Sequence, residues 1–454
     1  MNKLLCVGLS FWKKIFIQKY LKTYKCIFMS SSYFNKKFSK HISIKSNDNN
    51  FLYNNSLAFW ASTIIRDQNI NLIEKEYQKN AHSSDKQSTV LHIEDGFIRS
   101  NGLGSNFYYP YSLVIDKTGI YYDPKNSCDL EKILYELAND LDNEEYLSLF
   151  ERANSLKELI IKNNISKYSV GNSNNSIAKL IITNQPLDNQ SLNRFIRDYN
   201  EFIKKASTNN NNSTNEKKII FVPAQVDDDA SIVLGGCGYS NISLLREVRK
   251  NNPNSFIIFK IHPDALSGNR ECEINIKEVL SLANYICTNE LTNIDCINLC
   301  NEVHTISSLA GFEALIRNKK VYCYGMPFYA GYGLTVDISV EKKHPIALES
   351  YSRRNKINLF SVKSNLHRHL SSTDIGINNL IIGSLILYPT YYNWDKKCIS
   401  TVEDIIDTLL QKSCSKQNKL CYWFSKLTKP FRKNFLNTNN LLEQYQIKEN
   451  YFKN

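Results

Sequence analysis

The chain has 454 residues, 42% of them hydrophobic, with 56 Lys and Arg against 44 Asp and Glu, a formal net charge of +12. That length exceeds one comfortable domain and predicts two. The basic balance suits anionic partners such as sugar nucleotides or phospholipid surfaces, or reflects a chain rich in Lys, Asn and Ile; with no RRM signature, C2H2 spacing or long Arg-rich tract, nucleic-acid modules are excluded.

In chain order, residues 3–9 read as a strand ending at Gly8 and Ser10, and residues 11–22 as an amphipathic helix carrying Phe11, Trp12, Ile15, Phe16 and Tyr20. Strand, turn and helix at the start open a Rossmann-like layer. Residues 31–50 are polar, residues 56–66 read as a strand and turn, and a strand at 89–93 runs into Glu94-Asp95-Gly96. Residues 113–115 and 119–122 flank Asp116-Lys117-Thr118, a hairpin pattern, and residues 129–164 read as helical. The polar stretch 207–216 is the clearest linker.

The second half opens on a strand at 218–226, then a helix at 240–250 capped by Ser240 or Asn241. A strand at 256–261 leads into His262-Pro263, followed by a helix at 274–283, a strand at 301–306, a helix at 308–317 and a strand at 319–325. This alternation predicts a second doubly wound α/β domain. Helices are expected at 375–387 and 401–411, and the tail beyond 412 is basic and aromatic. The expected domains are therefore 1–210, 217–412 and a tail at 413–454. No apolar run reaches the ~20 residues of a spanning helix, and the opening run is too short for a signal-peptide core. A soluble or peripheral protein is expected. The twelve cysteines include no C-x-x-C pair, so reduced buried thiols are expected rather than a zinc site.

Four constellations carry chemistry. His262 ends a buried strand and precedes Pro263, which stops the ladder; it binds a phosphate or leaving nucleotide, or is a satisfied turn histidine. Ser307 and Ser308 stand at a helix N-terminus, as an anion site or as plain caps. Glu313, further along, faces a ribose or balances the helix dipole. Asp227, Asp228 and Asp229 follow a buried strand; packed carboxylates hold a metal, act as base or nucleophile, or form a solvated loop. Glu94, Asp95 and Arg99 cluster at a strand end, with Arg99 either gripping a sugar carboxylate or pairing with Asp95 within one turn.

Taken in order, Glu-Asp-Gly-Phe-Ile-Arg-Ser with Gly-Leu-Gly-Ser, Tyr-Tyr-Asp-Pro, Gln-Val-x-x-Asp-Ala-Ser-Ile, Lys-x-His-Pro-Asp with Gly-Asn-Arg, Val-His-Thr-x-Ser-Ser-Leu-Ala-Gly-Phe-Glu-Ala-Leu, and Tyr-Gly-x-Pro-Phe-Tyr-Ala-Gly-x-Gly-Leu-Thr resemble the capsule polysaccharide β-Kdo transferases across residues 4–410. The resemblance implies a GT-B architecture, two Rossmann-like domains facing a central cleft. It implies CMP-β-Kdo as donor, retention of configuration, and no cofactor or metal. It implies Asp229 as nucleophile with Asp228 as fallback, and His262, Pro263, Ser307 and Ser308 around the CMP phosphate or ribose. Gln225, Lys260, Asn269, Arg270 and Glu313 belong to the same substrate-binding set. Glu94, Asp95 and Arg99 are implied to place Kdo or the acceptor, with Glu94 or Asp95 as base. The partners it adds are a lipid or oligosaccharide acceptor, the inner-membrane surface and the capsule export machinery. Two departures stand out: the length fits one catalytic module where many members carry two, and Tyr332 stands where the family often has Trp. Transfer of another CMP-activated acidic sugar, or a non-catalytic assembly role, are the competing readings.

Overall fold

Strand β1 (Asn2–Val7) lies parallel between β2 (Tyr24–Met29) and β3 (Ser56–Trp60), and β3 pairs in parallel with β4 (Val90–Asp95). The computed structural model describes residues 2–38, 55–81, 89–139, 143–168, 190–208, 217–267, 270, 272, 274–360, 371–411 and 416–428. Strand β5 (Ser112–Asp116) runs antiparallel to β4, and β12 (Pro389–Asn393) and β13 (Cys398–Ser400) complete a seven-stranded sheet in the order β13-β12-β5-β4-β3-β1-β2. One face packs Leu5, Val7, Leu57 and Phe59 against Phe34, Ile70 and Tyr77.

The second sheet contains β6 (Ile219–Pro223), β7 (Phe256–Lys260), β8 (Tyr285–Cys287), β9 (Glu302–Thr305), β10 (Lys320–Cys323) and β11 (Val336–Asp337) in the order β11-β10-β9-β6-β7-β8, every pair parallel. Strands β6 and β7 are buried at every residue. Their continuous apolar runs are what a parallel strand covered on both faces requires. The helix Asn241–Asn251 starts at Ser240, which forms a reciprocal capping box with Ser243. It buries Leu244, Leu245 and Val248 against Val222, Ile257 and Phe259.

The chain forms two compact units, one of residues 1–156, 167–170 and 378–424, the other of 157–166, 171–377 and 425–454. This division departs from the boundaries expected at 207–216 and 412. The helix Gln190–Thr208 belongs to the second unit, where the Phe195 ring lies 4.5 Å from Tyr285 and the Tyr199 hydroxyl donates to the Leu299 carbonyl. Residues 389–400 return to the first sheet because β5 has an edge to pair, and β12 fills it. The expected hairpin at 113–122 is also replaced. The Asp116 carboxylate accepts from the backbone N–H groups of Thr118, Gly119 and Asp129 and from the Tyr388 hydroxyl, so the chain turns there and β5 pairs with β4 and β12 instead. The inner part of the expected linker, residues 209–216, and the tail at 412–415 and 429–454 lie outside the described residues, as does Asn269. No helix among the described residues is long and apolar enough to cross a membrane.

Candidate functional site

Strands β6, β7 and β9 are adjacent and parallel, so their C-terminal ends share one edge of the second sheet. That edge is where open α/β sheets present ligand-binding residues. Gln225, His262 and Ser307 each stand two residues past the last residue of their strand. Equal offsets from strands in register carry the three side chains to one place.

A hydrogen-bond chain joins them to the carboxylates. The Gln225 side chain accepts from the Ser307 backbone N–H at 2.9 Å and donates through Nε2 to the Ser307 hydroxyl at 3.2 Å. The Ser307 hydroxyl bonds Ser231 at 3.1 Å, and Ser231 donates to Asp229 Oδ1 at 2.8 Å. Asp229 Oδ1 also accepts the Ser231 N–H and so caps the helix Ala230–Gly235. Its other oxygen, Oδ2, lies 3.4 Å from the Arg270 guanidinium, which reaches Asp228 at 2.5 Å. Arg270 thus supplies positive charge to the packed carboxylates. Among the described residues there is no group of His, Cys, Asp and Glu arranged to hold a metal ion.

His262 begins the short helix Pro263–Leu266, and its Nδ1 accepts the Asp264 N–H at 3.1 Å. In the neutral ring this leaves the proton on Nε2, making that nitrogen the donor. Burial, the largest influence, pushes the imidazole below its ordinary value, while Asp264 and Asp229 oppose it and Arg270 adds to the fall. His262 is therefore a neutral donor at pH 7. Pro263 supplies the fixed φ at the first helical position.

Lys260 is buried, with its ammonium 2.5 Å from the Thr288 carbonyl, so it ties the end of β7 to the turn after β8. Ser308 caps the helix Leu309–Ile316: its hydroxyl accepts the Ala310 N–H, and its carbonyl receives the Tyr329 hydroxyl. Glu313 is buried within that helix, and the Arg317 guanidinium donates to its carbonyl. Packing here is close. A Cβ at Gly325 would stand 2.3 Å from the Gly235 carbonyl, and one at Gly311 would stand 2.2 Å from the Tyr329 hydroxyl.

The first unit gathers a second polar cluster at the end of β4. Glu94 accepts from the Tyr122 hydroxyl and from the Asp95 N–H, both at 3.1 Å. Burial, the largest influence, raises the Glu94 carboxyl; Lys13 and Lys167 pull it down and Asp95 adds to the rise. Lys13 comes from the first turn of the helix Phe11–Tyr20 and sits 3.4 Å over the Trp60 ring at the end of β3. Of the two roles expected for Arg99, the structure contains the pair with Asp95. Arg99 is 2% exposed, pairs with Asp95 at 2.8 Å and donates to the Ser100 hydroxyl and the Tyr108 carbonyl. A Cβ at Gly104 would come within 2.7 Å of its guanidinium, so the loop is built around this arginine.

Several participants escape a reading of the sequence. Ser231 lies inside a motif already singled out, yet its link to Ser307 spans distant chain. Asn241, an alternative helix cap by sequence, instead clamps Gln225: its side chain accepts from the Gln225 N–H at 2.9 Å and donates to its carbonyl at 2.7 Å. Lys13 and Lys167 reach Glu94 from far along the chain.

Two α/β units, each with polar side chains at the ends of its strands, define a protein of GT-B-like fold. The chain belongs to the capsule polysaccharide biosynthesis protein family, whose model matches residues 73–378. It is 32% identical over 425 residues to the capsule polysaccharide modification protein LipA of Neisseria meningitidis serogroup B, covering 92% of this chain and 47% of LipA. It is 34% identical over 284 residues to the lipopolysaccharide-processing protein LpsZ of Rhizobium meliloti, covering 62% of this chain and 53% of LpsZ. The chain thus spans about half the length of the curated relatives it matches. Among solved structures it is similar to the KpsC β-Kdo 2,7 transferase of Thermosulfurimonas dismutans, at 30% identity and a TM-score of 0.55, covering 90% of this chain and 99% of that one. The β-Kdo 2,4 transferase of the same KpsC shares the fold, at 20% identity and a TM-score of 0.55.

Proposed function

We propose that this chain is a retaining β-Kdo glycosyltransferase that moves Kdo from CMP-β-Kdo to a lipid or glycan acceptor in surface polysaccharide synthesis, working at the inner-membrane surface with the capsule export machinery. The observation that carries the proposal is the continuous chain Gln225–Ser307–Ser231–Asp229–Arg270 beside His262 on one sheet edge. The similarity to a β-Kdo 2,7 transferase supports the choice of sugar and donor.

The chemistry asks for two things. Negative charge must be stabilised on the departing CMP phosphate, and positive charge on the anomeric carbon of the sugar. His262 Nε2–H is the donor for the phosphate, joined by Arg270. Asp229 Oδ2, which the Arg270 guanidinium meets at 3.4 Å, attacks the anomeric carbon as the carbon–phosphate oxygen bond breaks and the electron pair leaves with CMP. The resulting glycosyl ester has inverted configuration. An acceptor hydroxyl then displaces the carboxylate, its proton passing to a base, and the second inversion restores the β configuration. Asp228 is the alternative nucleophile. Glu94, its carboxyl raised by burial, is the proposed base, with Asp95 beside it. Gln225 and Ser231 orient Asp229, and Lys260, Asn269, Ser307, Ser308 and Glu313 complete the donor side.

The test is release of CMP and formation of product from CMP-Kdo and from CMP-sialic acid, each with a panel of lipid and oligosaccharide acceptors, read by mass spectrometry and NMR. CMP-Kdo is expected to be consumed and CMP-sialic acid left intact. Preference for CMP-sialic acid would move the chain to another CMP-sugar, and release of CMP from neither would leave an assembly role.

A further inference from the structure

The first acidic residue of the chain is Asp48, while lysine recurs throughout the stretch before it. The described part of that stretch forms β1, the helix Phe11–Tyr20, the sheet-edge strand β2 and the helix Ser31–Phe38. The helix turns Trp12, Phe16, Ile17 and Tyr20 inward and leaves Phe11 75% and Ile15 39% exposed. Phe11, Lys14, Ile15 and Lys19 fall on one side of the helix, so its outer face combines apolar and basic residues. Gln18 binds the helix to the edge strand, donating to the Tyr24 carbonyl and accepting from the Cys26 N–H. Lys14 lies 5.9 Å over the ring of Phe28, itself exposed on β2.

A second, distant stretch of the same character meets this one. Residues 416–418 run beside 107–109, with Tyr109 donating to the Lys416 carbonyl and Asn418 to the Phe107 carbonyl. Phe107 and Tyr109 in turn hold the Trp12 ring, at 5.6 and 4.6 Å. The helix Lys419–Thr428 starts there and exposes Leu420 and Trp423, at 73% and 57%, beside the exposed Lys416 and Lys419. Two basic stretches with outward aromatic and aliphatic side chains thus meet through residues 107–109, one packing Trp12 on their rings and the other bonding their backbone.

From this arrangement we infer that the Phe11–Lys14–Ile15 stripe, together with Leu420 and Trp423, is a docking face for an anionic phospholipid surface. Lysines meet the headgroup phosphates, while the phenyl, indole and aliphatic groups enter the boundary with the acyl chains. The charge argues for this occupant: a second copy of the chain would bring the same lysines against these, and like charges repel. Large apolar groups at this exposure are what an interfacial site needs and what contact with phosphate alone does not. Phe11 opens the helix that follows β1, and Lys13 of the same turn acts on Glu94, so the face adjoins the strand-end cluster of the first unit. The inference stands whether or not the chain transfers Kdo.

The test is sedimentation of the full chain with phosphatidylcholine vesicles with and without phosphatidylglycerol. Binding is expected only when phosphatidylglycerol is present, weakening as salt rises. Phe11→Ser with Trp423→Ser, and separately Lys14→Gln with Lys19→Gln, should each lower the partition coefficient by about tenfold while thermal unfolding and CMP release with a water-soluble acceptor stay unchanged. Those controls separate a failure of this face from a failure of the transferase reading. Absence of binding to the anionic vesicles overturns the inference. So does binding that both variants retain in full, tighter binding to nucleic acid than to vesicles, or a concentration-dependent dimer abolished by the Phe11 and Trp423 changes.

Discussion

Asp229→Asn is expected to lower CMP-Kdo turnover by about a thousandfold or more, because an amide cannot attack the anomeric carbon. The fold should survive. Asp229 caps the helix Ala230–Gly235 by accepting from the Ser231 N–H and hydroxyl, and Asn caps about as well as Asp, so the stability change should stay under about 1 kcal/mol. Arg270 keeps its bond to Asp228, which anchors the guanidinium. Asp228→Asn is the matched comparison. It takes the charge out of the shorter Arg270 contact but leaves the Ser231–Asp229 alignment intact, so its loss should be the smaller of the two. The readings also differ in the cell: a non-catalytic assembly role predicts unchanged surface polysaccharide with Asp229→Asn, and the catalytic role predicts its loss. Initial-rate measurements of CMP release, beside thermal melting of the same samples, check the expectation.

Arg99→Met should destabilise the first unit by about 3–5 kcal/mol, the cost of leaving one partner of a buried ion pair uncompensated. The guanidinium is enclosed, and three groups depend on it: the Asp95 carboxylate, the Ser100 hydroxyl and the Tyr108 carbonyl. Methionine fills similar volume, so most of the loss is electrostatic and not a cavity. Denaturant unfolding monitored by fluorescence reads the effect. A substrate-binding arginine would behave differently, with stability preserved and the donor KM raised, and that outcome would return Arg99 to the role its sequence position first suggested.

The contrast between these two residues shows what a sequence makes legible. Strands β6 and β7 announce themselves as unbroken apolar runs, and His262-Pro263 marks where one of them stops. Once β6, β7 and β9 are known to be parallel neighbours, Gln225, His262 and Ser307 share an edge by simple counting, so that shared edge is legible in outline. Arg99 was ambiguous because the same four-residue spacing serves a ligand grip and an internal pair; only burial decides between them. Ser308 was ambiguous in the same way, since a serine at a helix start both caps and binds anions. The return of residues 389–400 to the first sheet depends on which edge is left unpaired, a property of the assembled sheet and not of any local pattern. The amphipathic reading of the first helix holds for Trp12, Phe16 and Tyr20, which are buried. Phe11 and Ile15 look like core residues beside Trp12 and Phe16, and the structure turns them outward.

The most direct measurement is peptide mapping of the chain after brief incubation with CMP-β-Kdo and acid quenching, without acceptor. The account predicts release of CMP and one Kdo residue added to the segment 227–231, on Asp229, with no such adduct in Asp229→Asn. An adduct on another residue, the same adduct surviving in Asp229→Asn, or transfer to acceptor with inversion of the anomeric centre would contradict it.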